Sequence, residues 1–261
     1  MKSSYHKIIF ILLAIFFTGC ESESSSKNKE VQHTYTYDSL LKGTKIIDVL
    51  VIVDKNDPNN FNGKNEIEID HGISVSNTIF DKSKVHAQLN IKKIHARSFK
   101  AKNSIDALHE VYQDDKIGAL RNEVAADLVV IYRKYSDDGY CGLAYTNNKL
   151  DKDIAYAHIS LGCPSMTTAH EIGHTMGLAH SAHKSNAKKL FPFSQGYGVK
   201  NEFVTTMAYK SNYQTSTRLF TYSSPDLDCK GHPCGVEEGL DNPSNAVKSL
   251  NYAVDYVSKF R

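Results

Sequence analysis

The sequence lacks several features that would by themselves assign it to a class of protein. It contains no Trp, which excludes nothing, and it shows neither an internal repeat nor a block of Lys and Arg of the kind that binds nucleic acid. Its net charge of +2 over 261 residues is close to balanced, so we expect no nucleic-acid partner. With 41% hydrophobic and 23% charged residues, the composition is typical of a soluble globular protein with one sizeable domain.

No hydrophobic run is long enough to predict a transmembrane helix. The longest, "IIFILLAIFF" from Ile8 to Phe17, is about half of the ~20 residues that such a helix needs. Because Lys2 and Lys7 precede it, the run is typical of an export signal. We therefore assign residues 1–20 to a signal peptide.

The end of this signal, "FTGC" at Cys20, resembles a bacterial lipoprotein box, in which lipid is attached to the cysteine. Several acyl chains on Cys20 would hold the protein firmly at a membrane, whereas one chain binds only marginally. Plain secretion, with Cys20 discarded, is the alternative. Residues 21–44, which begin with a tract rich in Ser, Glu and Lys, are expected to form a flexible tether. The predicted location is a bacterial cell-envelope membrane, at the outer membrane or cell surface, or the outside of the cell.

Cysteine is scarce, and its number is consistent with export. Without Cys20 there remain four: Cys141, Cys163, Cys229 and Cys234. An even number in an oxidising compartment predicts disulfides, and three pairings are possible. The short "CKGHPC" loop favours Cys229–Cys234, which leaves Cys141–Cys163. A four-cysteine zinc site is the alternative, although the second pair lacks a CxxC spacing.

Strands and helices alternate along residues 45–261, which predicts an α/β layer structure in one domain. Aliphatic runs and alternating patterns predict strands at Lys45–Asp54, 84–93, Ala126–Lys134 and Ile154–Gly162. Small residues and Tyr in the last of these favour an exposed edge strand.

Helical spacing of apolar residues predicts three further elements. They are helices at Glu66–Phe80, at Ser104–Gln113, and at the C-terminus, where Asn242 is the expected cap and Pro243 the first residue. The apolar stripe of the C-terminal helix comprises Val247, Leu250, Val254 and Val257.

The stretch "TTAHEIGHTMGLAH", which ends at His180, carries the clearest chemical signal. On a helix, His170 and His174 lie on the same side, about 5–6 Å apart at Cβ, so both imidazoles can reach one ion. Glu171 is offset by one residue and would stand beside a metal-bound water. Gly177 can end the helix and turn the chain, which brings His180 round as a third ligand.

Three neutral imidazole nitrogens leave the fourth position of a zinc ion open, as a catalytic site requires. The alternative is a surface helix whose histidines are satisfied without metal. Chance would produce the full spacing of three His, one Glu and one Gly in roughly one such chain in ten thousand. We therefore predict one catalytic zinc ion.

These residues resemble a known family. "HEIGHTMGLAH" has the elongated zinc motif of the metzincin metallopeptidases, and "FVTTMAYK" matches their Met-turn, with Met207 as its methionine. Tyr209 occupies the place where some metzincins carry a tyrosine that approaches the zinc or steadies the transition state; a packed aromatic is the alternative. The order of elements, a Cys just before the zinc helix and "GYG" before the Met-turn are most similar to the bacterial reprolysin-like (adamalysin-type) branch. Ser181 departs from the Asp that animal relatives often carry after the third ligand.

The resemblance implies a metzincin-type α/β catalytic domain: a twisted mixed sheet with an antiparallel edge strand, a zinc helix, a Met-turn and a C-terminal helix. It also implies a monomeric zinc endopeptidase for protein or peptide substrates, with Glu171 as general base and acid. An extended substrate would add to the edge strand, for which Ile154–Gly162 is the candidate. The alternatives are a catalytically silent binding or adhesion module and a zinc hydrolase for a small molecule or a cell-wall stem.

Three other histidines lie near the motif or in predicted elements. His183 could act as a ligand in a shifted register, although a solvated loop residue is the simpler interpretation. We expect His158 and His232 to be surface residues.

Overall fold

The computed structural model describes residues 12–14, 42–60, 63–181 and 188–261. Cys20, most of the predicted tether and His183 lie outside the described residues. The centre of the fold is a six-stranded sheet with the order β1-β5-β6-β4-β2-β3. Its strands are β1 (Leu12–Ala14), β2 (Lys45–Asp54), β3 (Ala87–Arg97), β4 (Leu128–Lys134), β5 (Gly142–Tyr145) and β6 (Tyr156–Leu161).

The sheet is mixed, as expected. β2, β3, β4 and β6 run parallel, whereas β5 is antiparallel to β6 and β1 is antiparallel to β5. β2 has the predicted bounds, and its residues Val49–Val53 are buried on both faces. Its aliphatic run is continuous because helices cover both sides of the sheet.

The edge strand was wrongly predicted. β6 lies inside the sheet, between β4 and β5, and the four-residue β5 is the strand on its outer side. The small side chains of β6 reflect close packing between the helical layers: Ala157 and Ser160 are both buried. The prediction that His158 lies at the surface is also wrong, since this residue is only 1% exposed. β5 is too short for its pattern to be recognised in the sequence.

The helices are α1 (Lys64–Lys82), α2 (Ser104–Tyr112), α3 (Asp115–Glu123), α4 (Thr167–Thr175) and α5 (Ala246–Val257). One apolar cluster joins α1, α4 and α5 to one face of the sheet, and a second joins α2 and α3 to the other face. The expected α/β layer structure is therefore present. α4 lies on the first face and is buried along its whole length.

The C-terminal helix begins later than predicted. The side chain of Asn245 accepts a hydrogen bond from the backbone N–H of Lys248 (2.9 Å), which makes Asn245 the N-cap. Asn242, the predicted cap, instead has a left-handed backbone with φ of 55° and forms part of the preceding turn. All four predicted stripe residues are buried.

Two disulfides confirm the pairing that the short loop favoured. Cys141–Cys163 connects the start of β5 to the turn before α4, and Cys229–Cys234 spans a short hairpin of β9 (Asp228–Cys229) and β10 (His232–Pro233). A second hairpin pairs β7 (Gly198–Val199) with β8 (Phe203–Val204). Within the part of the chain that the structure describes, no helix has the length and apolar character needed to cross a membrane.

Candidate metal centre

The three motif histidines are held by α4 and by the turn that follows it. His170 and His174 are one helical turn apart, and their ring centroids are separated by 4.9 Å. Gly177 has a left-handed backbone with φ of 91°, and the N–H of Leu178 donates to the carbonyl of Gly173 (2.9 Å). This turn ends the helix, as predicted, and places the His180 ring within 4.9 Å of both other rings.

The ring nitrogens of these histidines converge. The Nε2 atom of His180 lies 2.8 Å from Nε2 of His170 and 3.2 Å from Nε2 of His174. On the opposite side of the rings, His170 Nδ1 donates to the carbonyl of Thr206 and His174 Nδ1 donates to that of Leu178, both at 2.8 Å. These bonds place the proton of each ring on Nδ1, so the Nε2 lone pairs face a common point.

Burial favours the neutral, metal-binding form of these rings. Desolvation lowers the pKa of His174 to about 4 and lowers the pKa of His170 and His180 well below their usual range. Converging lone pairs repel one another unless a cation lies between them, and neutral imidazole is the form that binds it. The three nitrogens lie within 4.8 Å of one another. The set fits a zinc ion with three protein ligands and one open position.

Glu171 is buried beside this centre. No side chain or backbone group among the described residues hydrogen bonds to either oxygen of its carboxylate, and desolvation raises its pKa well above the usual range. A buried carboxylate without protein partners is costly to the fold and points to a reaction partner. The sequence predicted that Glu171 would stand next to the metal rather than bind it, and the structure leaves it out of the converging set.

The predicted Met-turn passes beneath α4. Met207 is fully buried, and a Cβ atom built on Gly173 of α4 would come within 2.8 Å of its sulfur atom. Tyr209, two positions after Met207, lies against the metal centre, and its ring centroid is 4.0 Å from that of His180. The turn also carries Thr206, whose carbonyl fixes His170.

Sequence reasoning missed Arg218, which follows the Met-turn in an irregular segment. Its Nη2 atom donates to the carbonyl of Ala208 (2.9 Å), next to Met207. The pKa of His170 is lowered first by burial, then by the neighbouring His174 ring, and then by the positive charge of Arg218. Nothing in the motif indicates this residue, because its place depends on the path of the loop. His232, by contrast, lies at the surface, 2.9 Å from a carboxylate oxygen of Glu202.

Comparisons with known proteins agree with this geometry. Residues 67–181 match the model of the M12B reprolysin-like metallopeptidase family. A Pseudomonas aeruginosa protein named peptidyl-Asp metalloendopeptidase is 29% identical over 83% of this chain and 40% of its own length. A Xanthomonas campestris protein with the same name is 32% identical over 49% of this chain and 30% of its own length. The chain thus spans less than half the length of these relatives.

A solved structure of a chaperone–substrate complex contains a chain with a similar fold. It has a TM-score of 0.69 at 22% identity, and the match covers 84% of this chain and 39% of that one. At this identity the likeness supports the architecture of the domain alone.

Proposed function

We propose that this chain, whose residues 67–181 match the model of the M12B reprolysin-like metallopeptidase family, is a zinc-dependent endopeptidase acting on proteins or peptides. The observation that carries the proposal is the convergence of three imidazole nitrogens beside a buried glutamate. A structural zinc site would close the fourth position with a further ligand, whereas here a carboxylate stands next to the ligands without joining them.

His170, His174 and His180 would hold a zinc ion, which would acidify a coordinated water and polarise the scissile carbonyl. Glu171 accepts the proton of the attacking water at its carboxylate and passes it to the leaving amine.

Tyr209 is the proposed stabiliser of the transition state. Burial, followed by the nearby Glu171, raises the pKa of its hydroxyl, which therefore stays protonated at neutral pH and can donate a hydrogen bond. Its ring lies against His180, so the residue stands next to the centre at which the substrate oxygen would gain negative charge.

We propose that an extended substrate pairs with β5 instead of β6. Support comes from β1, whose residues Leu12–Ala14 pair antiparallel with residues 143–145 of β5. β1 thus occupies the side of β5 that a substrate strand would use, and because residues 12–14 belong to the proposed signal peptide, their removal would open that side to backbone pairing. Gly142, the first residue of β5, also lies directly against Glu171, so a strand held there would pass the reacting groups.

We further propose that the enzyme cleaves beside acidic residues. Both curated relatives are named for action at aspartyl residues, and Arg218 supplies a positive charge near the metal centre.

The catalytic proposal is tested by E171Q. Zinc-loaded wild-type protein should cleave casein, and a chelator should abolish the cleavage. E171Q should lose at least about 10²-fold in kcat, the scale of general acid–base catalysis, while it retains one zinc per chain. The exposed Glu66 provides the matched control, E66Q, which should cleave as the wild type does. Undiminished cleavage by E171Q would reject the mechanism, and an inert wild type that binds zinc would favour a binding module or a small-molecule hydrolase.

Export and lipid attachment at Cys20 are also proposed, on the support of the "FTGC" sequence and the signal before it. In cells fed a labelled fatty acid, the wild type should incorporate label and C20A should not. Label-free wild-type protein in the medium would instead indicate plain secretion. We propose a monomer in solution, to be measured by sedimentation of the exported domain.

A further inference from the structure

A cavity of 390 Å³ opens beside the segment that follows the Met-turn. Lys82, Arg218 and Lys230 contribute cationic side chains to its lining, against the single carboxylate of Asp228. Its remaining walls are formed by Leu219, Phe220, Thr221, Leu227 and Cys229. We propose that Arg218 is a specificity-determining residue, and that it binds the carboxylate of a substrate side chain that enters here from the residue beside the scissile bond. The proposal rests on the proposed endopeptidase function.

The guanidinium of Arg218 lies between the two elements that build the metal centre. Its Nη2 atom donates to the carbonyl of Ala208, which stands between Met207 and Tyr209 in the Met-turn. Its Nη1 atom is 4.0 Å from the sulfur of Met166, the residue before α4. Met166 is one helical turn before His170 and therefore lies on the same face of the helix. The guanidinium of Arg218 therefore touches both the Met-turn and the start of the helix that carries His170 and His174.

The charge of the lining selects the ligand. Three cationic groups and one carboxylate give the cavity a positive potential, which attracts an anionic side chain and disfavours Lys or Arg. The volume is at the lower end of the range for ligand pockets, about 300–1,000 Å³, and is ample for an aspartate or glutamate side chain. A planar guanidinium held by a backbone carbonyl offers directed N–H groups, which suit a carboxylate better than a flexible ammonium does.

Arg218 could instead serve only to brace the Met-turn through Ala208. The two roles differ in what they do to substrate choice. Loss of a brace would disturb the metal centre and slow the cleavage of every substrate alike. Loss of the carboxylate-binding group would slow the cleavage of acidic substrates alone, because only they interact with it.

The test compares two peptides that are identical except for Asp or Asn beside the scissile bond. The wild type should cleave the Asp peptide with a kcat/KM about 10- to 100-fold above that of the Asn peptide, the scale of one charge-assisted contact. In R218M this ratio should fall to nearly one, chiefly through the Asp peptide. R218K, which keeps a positive charge without the planar group, should give an intermediate ratio. The control K45M, on β2 and away from the cavity, should keep the wild-type ratio.

Three results would overturn the proposal: a wild type that cleaves both peptides equally well, an R218M variant that loses the same factor on both, or an R218K variant with an unaltered ratio. The results for R218M and R218K remain decisive if one of these variants folds poorly, because zinc content and melting temperature identify the variant that is unfolded. Failure of the underlying function looks different. In that case the zinc-loaded wild type would cleave neither peptide nor casein.

Discussion

Gly142 at the start of β5 lies directly against the side chain of Glu171. A Cβ atom on Gly142 would come within 2.6 Å of both Cγ and Oε1 of Glu171, a distance that real Cβ atoms essentially never show. β5 therefore approaches the general base this closely only because residue 142 has no side chain. This contact joins the strand proposed to bind substrate to the group proposed to activate water.

The first prediction is that G142A impairs catalysis without removing the metal. The added methyl group would overlap the side chains of Glu171 and Thr167, and a displacement of Glu171 by about 1 Å can cost roughly 10²-fold in rate. We expect kcat to fall by about 10- to 100-fold, with one zinc still bound per chain, as measured by peptide hydrolysis and metal analysis.

Gly118 on α3 provides the control for this prediction. A Cβ atom there meets nothing within 4 Å, so G118A should keep wild-type activity and gain slightly in helix stability. A fully active G142A would show that Glu171 can shift at no cost, contrary to its proposed role.

The second prediction concerns the hydroxyl of Tyr209. Y209F removes the oxygen and keeps the ring that packs on His180, so metal binding should persist. If the hydroxyl stabilises developing negative charge, kcat should fall by about 10- to 100-fold with a much smaller change in KM. Y252F, at an exposed position of α5, is the matched control. Equal kcat values for Y209F and the wild type would leave Tyr209 as a packing residue.

The sequence predicted the parts of this site that depend on local spacing. His170, His174 and the Gly177 turn follow from the geometry of one helix, and the continuous aliphatic run of β2 follows from burial on both faces. The exchange of β5 and β6 could not be foreseen, because the order of strands depends on contacts between distant segments. The contact of Gly142 with Glu171 and the place of Arg218 could not be foreseen for the same reason, because each depends on what the fold brings next to that residue.

The third prediction separates the two disulfides. In the chain-entropy treatment, a cross-link with a sequence separation of 22, as in Cys141–Cys163, stabilises by about 3 kcal/mol, and one with a separation of 5 by about 2 kcal/mol. The free energy of unfolding, measured with denaturant, should therefore fall more for C141A/C163A than for C229A/C234A. Activity should also fall more in the first variant, because Cys141 directly precedes Gly142.

Measurements of kcat for both variants complement the unfolding experiment. If C141A/C163A retained full kcat, the covalent link would not be needed to hold β5 against Glu171. If C229A/C234A were the more damaged variant, the hairpin of β9 and β10 would have a larger part in the fold than its short loop indicates.

The last prediction concerns His158, which lies inside the sheet on β6. Neither of its ring nitrogens has a hydrogen-bond partner among the described residues, and desolvation, helped by the positive charge of Arg133, lowers its pKa to about 3. In the unfolded chain the pKa of histidine is about 6.5. Between these two values the unfolded state binds a proton that the folded state excludes, so the free energy of unfolding falls as the pH falls.

The size of this effect is at most about 1.4 kcal/mol per pH unit, which denaturant titrations at pH 8, 6 and 5 can resolve. H158L keeps a side chain of similar size and removes the titrating ring. Its stability relative to the wild type should therefore rise as the pH falls from 8 to 5, while the metal-site histidines, present in both proteins, cancel in the difference. H71Q, at an exposed position of α1, should follow the wild-type curve. The difference in free energy of unfolding between H158L and the wild type could instead stay constant over this range. That result would mean that the buried ring takes up its proton without unfolding the sheet.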